Sequence, residues 1–282
     1  MSAPTRVPGY QNQRDEPHTA EPQFIPVSTL VRTSVCPVRV YLERHESITE
    51  PPEYTIAKQV GYHLGSLSIS DGSAGAEPES VSSFGSPKAP DRDPDPYVER
   101  IWEEIRLVRL DIGESMKGYL EGCITACRSI SWEEPVAADV TCTNKKYGIS
   151  GRIDWLFGKK PALGILRASR APTYGVWKQD RIRAAAYLLA AEEMAELNAG
   201  WRSIPSEVRI AYIPSGIVRT VAPTASDRRS LLAALRKAEA IYRGEIPQAP
   251  PDAPCDRCPK RESCTRGARE PQTLFERFFG KK

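Results

Sequence analysis

Two things are missing from this 282-residue chain: a long apolar run and a charge of one dominant sign. No stretch approaches the roughly 18 consecutive apolar residues of a membrane span, so the sequence predicts no transmembrane helix. The N-terminus is polar and proline-containing, without an apolar segment, and no secretory signal is visible in it. Lys and Arg together number 39 against 36 Asp and Glu, so the net charge of +3 confines any nucleic-acid surface to a local patch. Internal repeats are absent as well. Residues 68–96, "SISDGSAGAEPESVSSFGSPKAPDRDPDP", have almost no large apolar side chains. Such a segment cannot repay its ordering entropy by burial and is expected to be a flexible insertion.

What remains can fold. Apolar residues make up 40% of the chain, enough for a core, and the length suits one large domain or one domain with appendages. Proline, at 25 residues, is well above its average share of about 5% and gathers in 1–26, 78–96 and 247–259. The expected division is a flexible tail over 1–26, an N-terminal helical segment over 27–67 and the insertion over 68–96. An ordered core follows over 97–246, then a cysteine-bearing segment over 247–266 and a tail over 267–282.

Residues 27–43 read as a helix with Ser28 or Thr29 as N-cap, broken at Pro37 and then resumed. Over 97–129, Val98, Ile101, Trp102, Ile105, Val108, Ile112, Met116, Tyr119, Cys123 and Cys127 recur at three- and four-residue steps, predicting one long helix. Strands are predicted over 135–144, 147–158 and 162–169, a helix over 177–200, a hairpin over 207–223 and an amphipathic helix over 225–243. Together they predict an α/β domain with a small mixed sheet.

The cysteines carry the first chemical signal. Seven of them, an odd number without a visible export signal, point to a reducing, cytoplasmic setting in which clusters serve metals or catalysis. Cys255, Cys258 and Cys264 form C-x2-C-x5-C in "PCDRCPKRESC", one ligand short of a four-thiolate site. Cys123 and Cys127 fall on the apolar helical face and Cys142 alternates inward on a strand, so these three read as small buried hydrophobes. Cys36 stands at a helix break before Pro37, where the proline frees its thiolate from the helical ladder; it is our choice for the fourth ligand. Iron–sulfur and zinc both accept four thiolates, and the lack of two C-x2-C pairs favours iron–sulfur. Either would close a loop spanning nearly the whole body, a staple between its two ends.

A cysteine–proline near the N-terminus with a distant C-x2-C-x5-C resembles the iron–sulfur RecB-type nucleases, which include the CRISPR-adaptation exonucleases and replication helicase–nucleases. The resemblance covers roughly residues 28–66 and 135–265. It implies a PD-(D/E)XK nuclease core, α/β with a small central mixed sheet flanked by helices. It also implies a [4Fe–4S] cluster on Cys36, Cys255, Cys258 and Cys264. Family members use an Asp on one strand, an acid-x-Lys on the next and usually a His on an early helix. The carboxylates hold Mg²⁺ or Mn²⁺ at the scissile phosphate and the Lys polarises the attacking water. Asp154 in "GRIDWL" matches the metal carboxylate and His63 in "VGYHLG" the histidine. The acid and lysine positions hold Ile165 and Arg167, and Arg183 stands four residues before Tyr187 where a Gln is usual.

Isoleucine cannot ligate a hard cation and arginine keeps its proton, so the resemblance leads to a degenerate nuclease centre. Arg152, Arg167, Arg170, Lys178, Arg181 and Arg183 surround it and would hold the phosphates of single-stranded or branched DNA without cutting. Lys159 and Lys160 read as solvated turn charges. Two alternatives stay open: a working Mg²⁺- or Mn²⁺-dependent single-strand exonuclease with a displaced acid such as Asp180, and a CRISPR spacer-acquisition factor. Finally, Gln272, Phe275, Phe278 and Phe279 in "PQTLFERFFGKK" resemble the peptide by which replication and repair proteins bind the PCNA sliding clamp. Exposed phenylalanines on a tail call for a partner. The resemblances imply a nucleoid-associated protein of archaeal-type replication or repair.

Overall fold

The computed structural model describes residues 24–46, 49–67, 96–128, 130, 132–158, 160–197 and 205–264. The expected clamp peptide with Gln272, Phe275, Phe278 and Phe279 lies outside the described residues, as do most of the expected insertion and N-terminal tail and Lys159.

The chain enters as a two-residue strand, β1 (Ile25–Pro26), and passes directly into helix α1 (Val27–Val35). The expected Ser28 or Thr29 cap is corrected: Pro26 holds the N-cap position with extended dihedrals. Thr29 is instead buried inside the helix, where its carbonyl accepts the Thr33 hydroxyl at 2.8 Å. Cys36 is extended (φ −152°, ψ 103°) and ends α1, and Pro37 opens helix α2 (Pro37–Glu43). A proline in a first turn forfeits no helical hydrogen bond, so the break is local.

Helix α3 (Pro52–Leu67) follows, then α4 (Pro96–Val108) and α5 (Lys117–Cys127). The single long helix expected over 97–129 is thus two. Arg109 donates from Nε and Nη2 to the two oxygens of Asp111, both at 2.7 Å, and Gly113 is extended at ψ 157° before a 3₁₀ turn, Glu114–Met116. Both halves turn their apolar faces to the same core, which is why the three- and four-residue spacing runs on through the break.

Six strands form one mixed open sheet flanked by helices: β1, β2 (Ala137–Asn144), β3 (Ile149–Phe157), β4 (Ala162–Arg167), β5 (Glu207–Tyr212) and β6 (Ile217–Val221). Strand β3 is central. It pairs antiparallel with β2 along its length, parallel with β1 at Ile149–Ser150 and antiparallel with β4 only at Trp155–Phe157. Strand β4 then runs parallel to β5, which forms an antiparallel hairpin with β6. Helix α6 (Lys178–Leu197) connects β4 to β5, and α7 (Ala225–Tyr242) follows β6, started by a capping box between Thr224 and Asp227. One face of the sheet packs on α1, α6 and α7 through Val27, Leu30, Ile153, Ile165, Ala186 and Leu235. The other packs on α3, α4 and α5 through Ile56, Val60, Ile105, Ile124, Trp155 and Leu166. Cys123, Cys127 and Cys142 are buried in these cores, and burial pushes their thiols up to about 11, 12 and 12. Among the described residues no helix is long and apolar enough to cross a membrane.

Two features of the sheet position the site. The β3–β4 ladder stops at Trp155–Gly164, so the strands part just where Asp154 and Ile165 would have paired. In addition, side-chain alternation slips at Asp154. Ile153 faces the α6 side, whereas Asp154 bonds to α3 and Trp155 packs with the α3–α5 core. Opposite, Asp139 on β2 adopts φ +56°, the one left-handed residue other than glycine among those described.

The turn of the β5–β6 hairpin packs directly on α5. Gly216 has φ +59°, and a Cβ there would fall 1.8 Å from the carbonyl oxygen of Ala126. Neither the backbone angle nor the neighbouring main chain can give way cheaply. Gly216→Ala should therefore cost about 3 kcal/mol and lower the melting temperature by roughly 6–12 °C. A calorimetric scan checks this, with Gly175→Ala, at φ +60° but in open space, as the milder control.

Candidate functional site

Asp154 is 4% exposed and lies where β3 and β4 separate. Its Oδ2 accepts the Leu166 backbone N–H at 2.8 Å, so the carboxylate takes up a donor that the broken ladder leaves over. Its Oδ1 lies 3.1 Å from Lys58 Nζ and accepts the Tyr62 hydroxyl at 3.3 Å. Burial alone would lower the Lys58 pKa, but the Asp154 charge and then Tyr54 outweigh it and hold the ammonium above its ordinary value. Lys58 also lies 5.0 Å from the centre of the Tyr54 ring. Burial and then Asp154 raise the Tyr62 phenol, so it stays a hydrogen-bond donor. Tyr54, Lys58 and Tyr62 recur at four-residue steps on α3 and so share one helical face. That face comes close to β4 because Gly61 leaves space for Leu166, whose methyl carbon would meet a Cβ there at 2.5 Å.

A second carboxylate lies beyond it, on the other side of the sheet. Asp180, in the first turn of α6, is fully buried. Its Oδ2 accepts the Tyr212 hydroxyl at 2.9 Å, and its Oδ1 lies 2.9 Å from Arg167 Nε and 3.4 Å from Arg183 Nε. The Arg167 contact is an ion pair without hydrogen-bond alignment. Burial and then the neighbouring Arg183 lower the Arg167 pKa, as expected of two guanidiniums on one acid. The two centres touch electrostatically through Tyr54, which sits near Lys58 and Asp154 and also acts on Arg167. Behind them Tyr187 packs on Gly151, where a Cβ would meet its ring at 2.7 Å, and burial raises its phenol.

The expected site residues divide accordingly. Asp154, Arg167, Arg183 and Asp180 belong to the centre. Ile165 is buried in the core on the α6 side. His63 lies on α3 with its Nε2 2.6 Å from Glu104 on α4 and its Nδ1 3.4 Å from Arg100, so its polar contacts run to α4 rather than to Asp154. Arg152 pairs with Asp139. Arg181 makes a bidentate pair with Asp227 at the start of α7, and this pairing holds the Asp227 carboxyl down at about 2. Arg170 and Lys178 are exposed, within the stretch of chain that joins Arg167 to Asp180. The residues that sequence reasoning missed are Tyr54, Lys58, Tyr62 and Tyr212; the Tyr-x3-Lys-x3-Tyr spacing was the available signal for three of them.

Cys36, Cys255, Cys258 and Cys264 line the wall of one cavity of about 80 Å³. Val35, Leu42 and Ala249 share the lining, and Arg39, Arg257 and Arg261 surround it. All four are free thiols. Among the described residues no group of three or more His, Cys, Asp or Glu side chains is gathered closely enough to mark a metal-ion site. The C-terminal segment is tethered to the end of α2 by Lys260 Nζ, 2.5 Å from Glu46 Oε2. A sulfur-only donor set in an apolar and cationic pocket fits an anionic, thiolate-held cluster.

Comparison of the sequence with protein-family models and with curated proteins found no match.

The chemistry of the centre follows from its pairing. Each of its two carboxylates is already neutralised by side chains of the same chain, so neither presents a free face to a cation. Removing Lys58 would strand Asp154. Lys58→Met should cost about 3 kcal/mol in thermal or urea unfolding, and adding Asp154→Asn should recover part of that loss because no unpaired charge is then left.

Proposed function

We propose that the chain is a RecB-like PD-(D/E)XK family protein that binds DNA with a degenerate nuclease centre. The observation that carries this reading is the occupancy of Asp154: Lys58 stands 3.1 Å from the oxygen that a metal-dependent nuclease would turn toward Mg²⁺ or Mn²⁺. Ile165 supplies no second ligand, and Asp180, the acid that could stand in, is bound by Tyr212, Arg167 and Arg183. The residues present do not fit a two-carboxylate metal site. The cations that remain accessible, Arg170 and Lys178 with the edges of Arg167 and Arg183, suit phosphates. The parting of β3 and β4 around a carboxylate supports the family resemblance, which otherwise rests on the sequence.

The four-cysteine cavity supports a [4Fe–4S] cluster, with zinc as the other candidate occupant. Cys36 would be the ligand from the α1–α2 break and Cys255, Cys258 and Cys264 those from the C-terminal segment. Bound there, the cluster would add a cross-link between the first helices and the end of the domain. The tail with Gln272, Phe275, Phe278 and Phe279 belongs to the same proposal as the recruiting peptide for a sliding clamp. The reading sets the protein in DNA replication or repair.

Wild-type protein incubated with labelled single-stranded DNA and Mn²⁺ should retain the strand without shortening it. Brisk degradation that Asp154→Ala abolishes would establish the active exonuclease instead.

Protein purified without oxygen should be brown and carry about four irons. Cys36→Ala should lose the colour and Cys123→Ala keep it, whereas one zinc in a colourless preparation would contradict the cluster.

A further inference from the structure

Residues 168–177 link β4 to α6 and emerge directly beside Arg167 and Asp180. This loop exposes two large rings, Tyr174 at 88% and Trp177 at 48%. Water-exposed aromatic area of this size is costly unless something covers it. The loop's backbone is nevertheless well held. Ala171 N–H donates to Ser215 Oγ at 2.9 Å, Trp177 Nε1–H donates to the Arg170 carbonyl at 2.9 Å, and the Ala168 carbonyl accepts the Tyr119 hydroxyl at 3.2 Å. Gly175, at φ +60°, makes the turn between the rings. The rings are therefore presented on a fixed support.

The flanking charges are of one sign. Arg170 and Lys178 are both exposed, and "ASRAPTYGVWK" (168–178) contains no acidic residue. Exposed rings set between cations match the chemistry of unpaired nucleotides, whose bases stack on aromatic faces while their phosphates meet the cations. A duplex offers the cations the same phosphates, but its bases are stacked on each other and present no face to a ring.

Resting on the reading that this centre holds DNA, we propose that Tyr174 and Trp177 form a stacking platform for single-stranded nucleic acid, with Arg170 and Lys178 on its phosphates. The platform leads an unpaired strand from solvent toward Arg167 and Arg183. It makes the preferred ligand a single strand, or the unpaired arm of a branched one, and sequence-tolerant, because every base has a face to stack.

The test uses the full-length protein and fluorescence anisotropy with three probes: an oligothymidine of about 20 nucleotides, longer than the roughly 4–16 nucleotides of a typical single-strand site, an abasic strand of the same length, and a duplex. The abasic strand should bind about tenfold more weakly than oligothymidine, and Tyr174→Ala and Trp177→Ala should each weaken oligothymidine about tenfold while leaving the duplex unchanged. Trp177→Phe, which keeps a stacking face, should restore most of the affinity. Arg170→Gln and Lys178→Gln should each reduce the salt slope by about one phosphate contact. Tyr174 is too exposed for its loss to disturb the fold, so that variant stands even if Trp177→Ala unfolds. Equal binding of oligothymidine and the abasic strand, or no effect of Tyr174→Ala, would overturn the platform while leaving DNA binding intact. Failure of the wild type to bind any of the three probes would overturn the underlying reading as well.

Discussion

A carboxylate with 4% of its residue surface in water has to be compensated from within the protein, and at Asp154 the compensation comes from two elements. Strand β4 supplies the Leu166 amide, and α3 supplies the Lys58 ammonium and the Tyr62 hydroxyl. The arrangement depends on β3 and β4 separating after Trp155–Gly164, since an unbroken ladder would have consumed the Leu166 N–H. It depends equally on Gly61 and Gly65, which let α3 lie against Leu166 and Trp155. The geometry of the site and the packing of that face of the sheet are thus one constraint. The same logic is repeated on the other face, where Asp180 gathers Arg167, Arg183 and Tyr212 and so joins the ends of β4 and β5 to the first turn of α6.

Neutralisation from within separates the two uses such a centre could have. Hydrolysis assisted by a divalent cation needs carboxylates with free lone pairs facing a common point. Strand binding needs donors left over after the acids are satisfied, and it tolerates buried acids that orient the cations. Arg167 and Arg183 share a single carboxylate, so two positive charges face one negative there. The surplus lies beside the aromatic loop, at the carboxyl ends of β4 and β5. In the proposed account the cysteine cavity acts at the opposite scale, linking the α1–α2 break to a C-terminal segment that otherwise touches the domain through contacts such as Lys260–Glu46.

The parts of the fold legible in the sequence are those where one element answers to one environment. The core strands stand out as apolar runs between turn signals, α7 follows its apolar period, and Thr224 with Asp227 marks its start through local hydrogen bonds. The α4–α5 break was hidden because both helices face one core, so the period continues although the chain turns at Arg109–Gly113. The misassigned cap of α1 has a similar cause: Ser28 and Thr29 are good capping residues, but β1 hands the chain to the helix at Pro26 before they are reached. At the site, Asp154 was visible as a strand acid, and the Cys36–Pro37 break as an irregular cysteine. Lys58 was not, because its role exists only once α3 crosses the β3–β4 opening, far away in the chain. His63 attracted notice as a rare residue type, yet a helical residue one step from Tyr62 points to a different neighbour, here Glu104.

The central claim is that the Asp154 centre is filled by its own lysine and takes no catalytic cation. Calorimetric titration of Mn²⁺ into the full-length protein tests it directly, with Asp154→Asn as the reference. The account predicts superimposable titrations with no saturable site dependent on Asp154. A stoichiometric Mn²⁺ site in the wild type that disappears in Asp154→Asn would contradict it.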